Sequence, residues 1–194
     1  VHTLAVKATN RFEATRDKTQ KYLNAKYREE IIFTKGATEA INLVASSYGK
    51  KYIKKGDEIL ITELEHHSNY VPWNFLRTEK GAVIKFAQVN EGGDVEIEEI
   101  KKLITNKTKM IAITHISNVT GAVLPITKIV DLAKEKNIPV LIDGTQGAPH
   151  SKIDMQKIGC DFYAISCHKM YGPNGLGILY MKKKWDDDLP PYQG

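Results

Sequence analysis

Residues 162–177 read FYAISCHKMYGPNGLG, a short apolar run that ends in a lysine and a glycine-rich turn. Runs of this kind are typical of buried strands in parallel sheets. Lys169 follows the run, so we expect it at the carboxyl end of a strand, where open α/β sheets bind their ligands. It is either an exposed turn residue or, if buried, an amine whose pKa is lowered and which can form a Schiff base.

Outward from this run, strand-like and helix-like segments alternate along the chain. The pattern predicts strands over 30–34, 58–62, 82–86, 110–116, 138–142, 162–165 and 177–181, and helices over 4–24, 37–48, 71–78, 95–104 and 126–136. The strand runs are rich in isoleucine and valine, as buried parallel strands are. We therefore expect a three-layer α/β/α fold with a mostly parallel, seven-stranded sheet, formed by residues 1–194 as one domain.

The composition favours a globular domain over a nucleic-acid-binding or membrane-spanning protein. The formal net charge is +5 at pH 7, but the lysines are scattered and no nucleic-acid-binding module accompanies them. No run of about 18 apolar residues is present, so no membrane span is predicted. Cys160 and Cys167 are the two cysteines, and they make neither a disulfide framework nor a zinc spacing. Their number is typical of a reducing compartment, and we expect no metal site.

The first two predicted strands are followed by groups that suit an anion and a flat ring. Gly36 permits a tight turn, after which the free amides of Ala37 and Thr38 can hold a phosphate at a helix start. An ordinary helix cap explains the same residues. His66 and His67 follow the second strand, where an imidazole either stacks on a ring, transfers a proton or is simply a loop histidine.

Later strands end in an amide, an acid and the lysine. Asn118 lies in a turn after the strand over 110–116, and Asp143 and Gln146 follow the strand over 138–142. A carboxylate that ends an apolar strand needs a cation, a donor or a role as a helix cap. Because the carboxyl ends of parallel strands meet at one edge, these groups are expected to converge. Pyridoxal phosphate needs a lysine, an acid, a phosphate cup and a stacking group, so this one cofactor explains all of them.

At these residues the chain resembles the fold-type I pyridoxal-phosphate enzymes of aminotransferase class V. It is most similar to the cysteine desulfurases of the SufS type, a group that also includes selenocysteine lyases. The resemblance rests on FTKGATEAINLVA at 33–45, LEHHSNYVPW at 64–73, SNVTG at 117–121, DGTQ at 143–146 and the stretch over 160–177. It extends from Val1 to Gly194, and it implies the fold of the large domain of that enzyme family.

The resemblance also implies a role for each site residue. Lys169 would be the Schiff-base lysine and the catalytic proton carrier, and His66, rather than His67, would stack on the pyridine ring. Asp143 would pair with the pyridinium nitrogen, and Gln146 would bond the phenolic oxygen. Asn118 would lie near the phenolic oxygen and the substrate carboxylate. The phosphate would be held by the remaining residues of the set, which are Ala37, Thr38, Ser166 and His168.

The activity that the resemblance implies is conversion of L-cysteine to L-alanine and an enzyme-bound persulfide, which feeds iron–sulfur cluster assembly. Its implied partners are L-cysteine, a sulfur-acceptor protein of the SufE or SufU kind and a second copy in a homodimer, without nucleic acid or membrane. The implied compartment is the cytoplasm, or a plastid in a eukaryote. Selenocysteine lyase, another class V enzyme and a catalytically silent interaction module are the competing interpretations.

Two departures from the family pattern bear on activity. Cys167 stands where glycine is usual, but the family's persulfide cysteine lies much later in the chain, so Cys167 and Cys160 are expected to be structural. Family members are also considerably longer. We expect residues 1–194 to be the cofactor-binding large domain without an N-terminal segment, the small domain with its carboxylate-binding arginine, or the nucleophilic cysteine loop. This chain alone is then expected not to turn over cysteine.

Overall fold

The computed structural model describes residues 2–193, and Val1 and Gly194, the ends of the expected 1–194 domain, lie outside the described residues. Its centre is a single sheet of seven strands. The strands are β1 (Ile31–Thr34), β2 (Glu58–Thr62), β3 (Val83–Ala87), β4 (Thr108–Thr114), β5 (Val140–Asp143), β6 (Phe162–Ser166) and β7 (Gly177–Met181). All seven predicted strands are therefore confirmed, with small changes at their ends.

The strand order is β1-β7-β6-β5-β4-β2-β3. Strand β7 runs antiparallel to β1 and β6, and the other neighbouring pairs are parallel. The mostly parallel sheet is thus confirmed, while the reversed strand was not foreseen in the sequence. Because β1 and β6 point the same way as β2, β4 and β5, their carboxyl ends reach one edge, where ligand crevices form.

Helices cover this sheet and are joined by short turns. They are α1 (Thr3–Leu23), α2 (Ala37–Tyr52), α3 (Val71–Lys80), α4 (Ile97–Leu103), α5 (Ile126–Glu135), α6 (Gly147–His150) and α7 (Met155–Ile158), with 3-10 turns at Arg28–Glu30, His67–Asn69, Cys167–Met170 and Lys183–Trp185. Helix α2 extends to Tyr52 rather than ending at 48, because Tyr48 and Tyr52 pack edge-on against Trp185. The short helices α6 and α7 lack a full apolar repeat, so the sequence pattern missed them.

Alternate residues of each central strand face opposite cores. In β2, Leu60 belongs to one buried apolar cluster, whereas Ile59 and Ile61 belong to the other. The first cluster takes in Ile129 and Val130 of α5, and the second takes in apolar residues of α2 and α3. Helices therefore bury both faces of the sheet, which confirms the three-layer α/β/α prediction.

Within residues 2–193, no helix combines the length and the apolar character that a membrane crossing requires.

Candidate active site

One cavity of about 170 Å³ opens at the carboxyl edge of the sheet. Side chains from the ends of β1, β2, β4, β5 and β6 reach it, although they are far apart in sequence. The structure brings all nine sequence-predicted residues to its wall, which are Ala37, Thr38, His66, Asn118, Asp143, Gln146, Ser166, His168 and Lys169. Four further residues line the same cavity, namely Ser68, Thr114, Ile116 and Thr145.

The start of α2 is linked to the end of β6 by a buried hydrogen bond. The Ala37 amide donates to Ser166 Oγ at 2.9 Å. The Ala37 amide, which the sequence suggests is free for an anion, is here hydrogen-bonded to the Ser166 hydroxyl, and its place in a phosphate site stays a prediction. The start of α2 and the end of β6 therefore form one polar corner of the cavity. Ser166 Oγ accepts from the Ala37 amide, so the proton of the Ser166 hydroxyl is free for a ligand oxygen in the cavity.

His66 enters the cavity from the turn after β2. Its Nδ1 accepts a hydrogen bond from the Ser68 amide at 3.2 Å, and the Ser68 hydroxyl lies 2.8 Å from the same nitrogen. A backbone amide only donates, so Nδ1 carries the lone pair and the neutral ring holds its proton on Nε2. The ring of His67 lies edge-on to His66. Within residues 2–193 the lining of this cavity includes His66 and not His67.

Asp143 is a buried carboxylate that has no cation partner within residues 2–193. It is 4% exposed, and its Oδ1 accepts from the Thr145 amide at 3.0 Å. None of the ion pairs among residues 2–193 involves Asp143. The nearby Thr145 Oγ1 is buried and has no hydrogen-bond partner in the described part of the chain. Buried charges and hydroxyls are normally satisfied, so both groups indicate a polar ligand that completes the site.

The turn that carries Asp143 and Gln146 rests on a buried pair of rings. His115 Nδ1 lies 2.8 Å from the Tyr163 hydroxyl, directly beneath this turn. A Cβ on Gly144 would collide with the Tyr163 ring, and one on Gly147 would collide with the His115 ring. These glycines therefore let the turn settle against the two rings, which fixes where Asp143 and Gln146 stand.

Lys169 lies in the 3-10 turn Cys167–Met170, which follows β6 directly. It lines the cavity, but the residue as a whole is exposed. Burial, which would lower the pKa of a lysine amine, is not provided for Lys169 by residues 2–193. The turn leaves the sheet edge at this point, so the lysine stands at the cavity's open side, together with the exposed His168 and Asn118.

Both cysteines lie away from this cavity wall. Cys160 is fully buried, and Cys167, although next to His168, is only 8% exposed. Burial raises the pKa of the Cys160 thiol, and it also raises the pKa of the Cys167 thiol. A thiol kept in its protonated form is a poor nucleophile. The physical properties of both side chains therefore suit packing better than sulfur chemistry.

A second carboxyl, Glu65, lies under the His66 turn. Its oxygens accept hydrogen bonds from the Thr62 hydroxyl at 2.6 Å, the Asn69 side chain at 2.5 Å and the Thr114 amide at 2.9 Å. Burial raises the pKa of Glu65 to about 8, and the nearby Asp143 charge also raises it. The three hydrogen bonds act in the opposite direction and lower this pKa. In the sequence, Glu65 is distinguished only as one residue of the LEHHSNYVPW motif.

Pyridoxal phosphate fits the residues that converge here. The buried, uncompensated Asp143 suits a protonated ring nitrogen, and Lys169 is an amine within reach of the same cavity. The unpartnered Thr145 hydroxyl and the free proton of Ser166 suit acceptor oxygens on a ligand. In the described part of the chain, no group of three or more His, Cys, Asp and Glu residues is arranged to hold a metal ion.

The comparison with known protein families identifies the chain as a member of the aminotransferase class-V family. The family's model matches residues 1–194, and the chain belongs to that family. The chain is more particularly similar to proteins named cysteine desulfurases. It is 46% identical over 193 residues to a probable cysteine desulfurase of Halalkalibacterium halodurans, covering 100% of this chain and 48% of that protein.

Solved structures agree with this relationship. The cysteine desulfurase CsdA of Escherichia coli superposes with a TM-score of 0.93 at 37% identity, covering 98% of this chain and 48% of that one. The apo cysteine desulfurase of Thermococcus onnurineus gives 0.94 at 33% identity, covering 100% of this chain and 48% of that one. These matches confirm the predicted fold type I architecture. The chain spans about half the length of the relatives that it matches, and the narrower resemblance to the SufS type stays a prediction.

Proposed function

We propose that this chain is the cofactor-binding part of a pyridoxal-phosphate-dependent cysteine desulfurase of the SufS type. The observation that carries the proposal is that Lys169 and the buried Asp143, which has no cation partner in the described part of the chain, line the same cavity. An interaction module has no use for a desolvated carboxylate that lacks a cation partner, because such a group costs stability. A ligand with a protonated nitrogen that donates a hydrogen bond to Asp143 would offset that cost.

Each lining residue has a definite task in this proposal. Bound pyridoxal phosphate supplies an aldehyde that captures amines and a ring that accepts electrons from an amino acid's α-carbon. Asp143 would hold a proton at the ring nitrogen, and the His66 imidazole would cover one face of the ring. Lys169 would bind the cofactor through its Nζ amine and would move a proton at that atom. Ser166, His168 and the start of α2 would bind the phosphate, and Asn118 and Gln146 would orient the phenolic oxygen.

The proposed net reaction converts L-cysteine to L-alanine and transfers its sulfur to a thiol as a persulfide. Neither Cys160 nor Cys167 suits that thiol, because burial keeps both protonated. We therefore propose that the sulfur is received by a cysteine other than these two, outside residues 1–194. The sulfur would pass to an acceptor of the SufE or SufU kind for iron–sulfur cluster assembly, in a cytoplasmic homodimer. This chain alone would then bind the cofactor without producing alanine.

The proposal is tested by adding pyridoxal phosphate to the chain and recording visible absorption before and after L-cysteine. We expect a cofactor band that L-cysteine alters, with no alanine formed above the level of free cofactor. An equal response to L-aspartate would indicate another class V enzyme, and a stronger response to L-selenocysteine would favour a selenocysteine lyase. A chain that gives no cofactor band would contradict the proposal and favour a silent module.

Replacing Asp143 by asparagine is expected to separate cofactor binding from folding. Asparagine keeps an oxygen for the Thr145 amide but removes the buried charge. The chain without cofactor is expected to melt at the same or a higher temperature, because the charge has no cation partner. Cofactor affinity is expected to fall at least about tenfold, the scale of one lost charge-assisted hydrogen bond. Thermal melting and a cofactor titration measure the two effects, and unchanged affinity would remove Asp143 from the site.

A further inference from the structure

The Glu65 carboxyl joins three parts of the structure beneath His66. Its Oε1 accepts from Thr62 at the end of β2 and from the amide of Thr114 at the end of β4. Its Oε2 accepts from the side chain of Asn69, which is fully buried. Glu65 and Asn69 thus bracket His66, whose backbone carbonyl also accepts from the Asn69 amide at 2.8 Å.

The direction of the hydrogen bond between Glu65 and Asn69 is fixed by a group that can only donate. The indole Nε1 of Trp73 donates to Asn69 Oδ1 at 3.1 Å, and Trp73 is fully buried. The other end of the Asn69 side-chain amide is therefore its NH2 group, which donates to Glu65 Oε2. The Thr114 amide likewise only donates. Both oxygens of Glu65 must therefore accept, whatever the charge of the carboxyl.

This requirement holds for a neutral acid as well as for a carboxylate. A neutral Glu65 that carries its proton on Oε1 can donate a hydrogen bond to the Thr62 hydroxyl oxygen, which lies 2.6 Å away. The same Oε1 still accepts from the Thr114 amide. The raised pKa of Glu65 is compatible with that arrangement. An amide in its place fails in either orientation, because its NH2 would face the NH2 of Asn69 or the N–H of Thr114.

We propose that Glu65 is a positioning residue, which ties the His66 turn to the ends of β2 and β4 and so sets the imidazole over the cofactor ring. The inference rests on the proposed function, since it assumes that pyridoxal phosphate lies in the cavity. Glu65 is not part of the cavity wall in the described chain, so it acts through His66 rather than by touching the cofactor.

The hydrogen bond between Glu65 and Asn69 can be restored with the acid and the amide exchanged between the two positions. In Glu65→Gln the new NH2 opposes the NH2 of Asn69, and Asn69 cannot turn over without opposing Trp73. Adding Asn69→Asp removes the conflict, because the carboxylate that it introduces accepts both from the new amide at position 65 and from Trp73. We expect Glu65→Gln to weaken binding of pyridoxal phosphate about tenfold. The double variant is expected to recover most of that loss.

The experiment measures cofactor affinity and the visible circular dichroism of the bound cofactor in the parent chain, Glu65→Gln, Asn69→Asp and the double variant. Glu63→Gln is the matched control, since Glu63 is exposed and its side chain accepts from the Val89 amide. The dichroism reports the asymmetry around the ring, which a merely structural role of Glu65 would leave unchanged. Far-ultraviolet dichroism shows that each variant is folded.

Reduced dichroism per bound cofactor in Glu65→Gln, with recovery in the double variant and no change in Glu63→Gln, supports the proposal. Equal affinity and dichroism in the parent and Glu65→Gln would overturn it while leaving the proposed function intact. An unfolded Glu65→Gln with a folded double variant that lacks the parent's dichroism would also overturn it. A parent chain that binds no cofactor would instead reject the proposed function.

Discussion

Replacing Lys169 by alanine is expected to abolish covalent capture of pyridoxal phosphate. The parent chain with cofactor should retain it after borohydride treatment, because reduction fixes the bond between an amine and the aldehyde carbon. Lys169 is the lysine among the residues that line the cavity. The measurement is the mass of the reduced protein, followed by a peptide map that locates the added cofactor.

Two variants separate the amine of Lys169 from its charge and from random labelling. Lys169→Arg keeps a cation at the same point but offers no amine that can condense, so it should also retain no cofactor after reduction. Lys35→Ala is the matched control, because the Lys35 side chain is 83% exposed and lies just before the start of α2. Retention of one cofactor in Lys169→Ala at the level of the parent would show that another amine is the anchor.

The strands and the edge where the site forms were predictable from local sequence. An apolar run of the length of β4 or β6 has few alternatives to a buried strand, and parallel strands must end together. The polar residues that follow these strands, such as Asp143 and His66, could therefore be assigned to one cavity before any contact was known. The reversed direction of β7 was not predictable, because a short apolar run reads the same in either direction.

What the sequence could not provide depends on partners distant in the chain. The Ala37 amide is occupied by Ser166, 129 residues away, so it is not free as a helix start suggests. Lys169 is exposed rather than buried, because the chain turns away from the sheet directly after β6. Glu65 reads as an ordinary loop acid, and its position becomes clear only when Thr114 and Trp73 are seen beside it. Propensity and spacing carry no information about such contacts.

Replacing Gly177 by alanine is expected to destabilise the chain and to distort the start of α2 at the same time. Gly177 is the first residue of β7 and pairs with Thr34 on one side and Ser166 on the other. A Cβ there would stand 2.5 Å from the carbonyl carbon and 2.7 Å from the nitrogen of Gly36. Gly36 caps the start of α2, and its backbone cannot move aside as a flexible side chain can, so we expect a loss of about 3 kcal/mol in the free energy of unfolding.

The expected effect on the site follows from the position of Gly36. It immediately precedes Ala37, whose amide is hydrogen-bonded to Ser166 Oγ, so a displaced Gly36 moves the corner proposed to hold the phosphate. Cofactor affinity should therefore fall in the fraction of Gly177→Ala that remains folded. Denaturant unfolding without cofactor and a titration with pyridoxal phosphate measure the two losses separately.

Gly36→Ala provides the matched control for the same contact. A Cβ on Gly36 would meet only Ser166 Oγ, at the ordinary contact distance of 3.7 Å, and the φ angle of 161° is extended. A methyl group added to Gly36 instead of Gly177 is therefore expected to leave stability and cofactor affinity near those of the parent. If Gly177→Ala is as stable as Gly36→Ala and binds the cofactor equally well, β7 and the start of α2 do not approach as closely as described. The phosphate corner must then be held by other contacts, and the Ser166 to Ala37 hydrogen bond becomes the next one to remove.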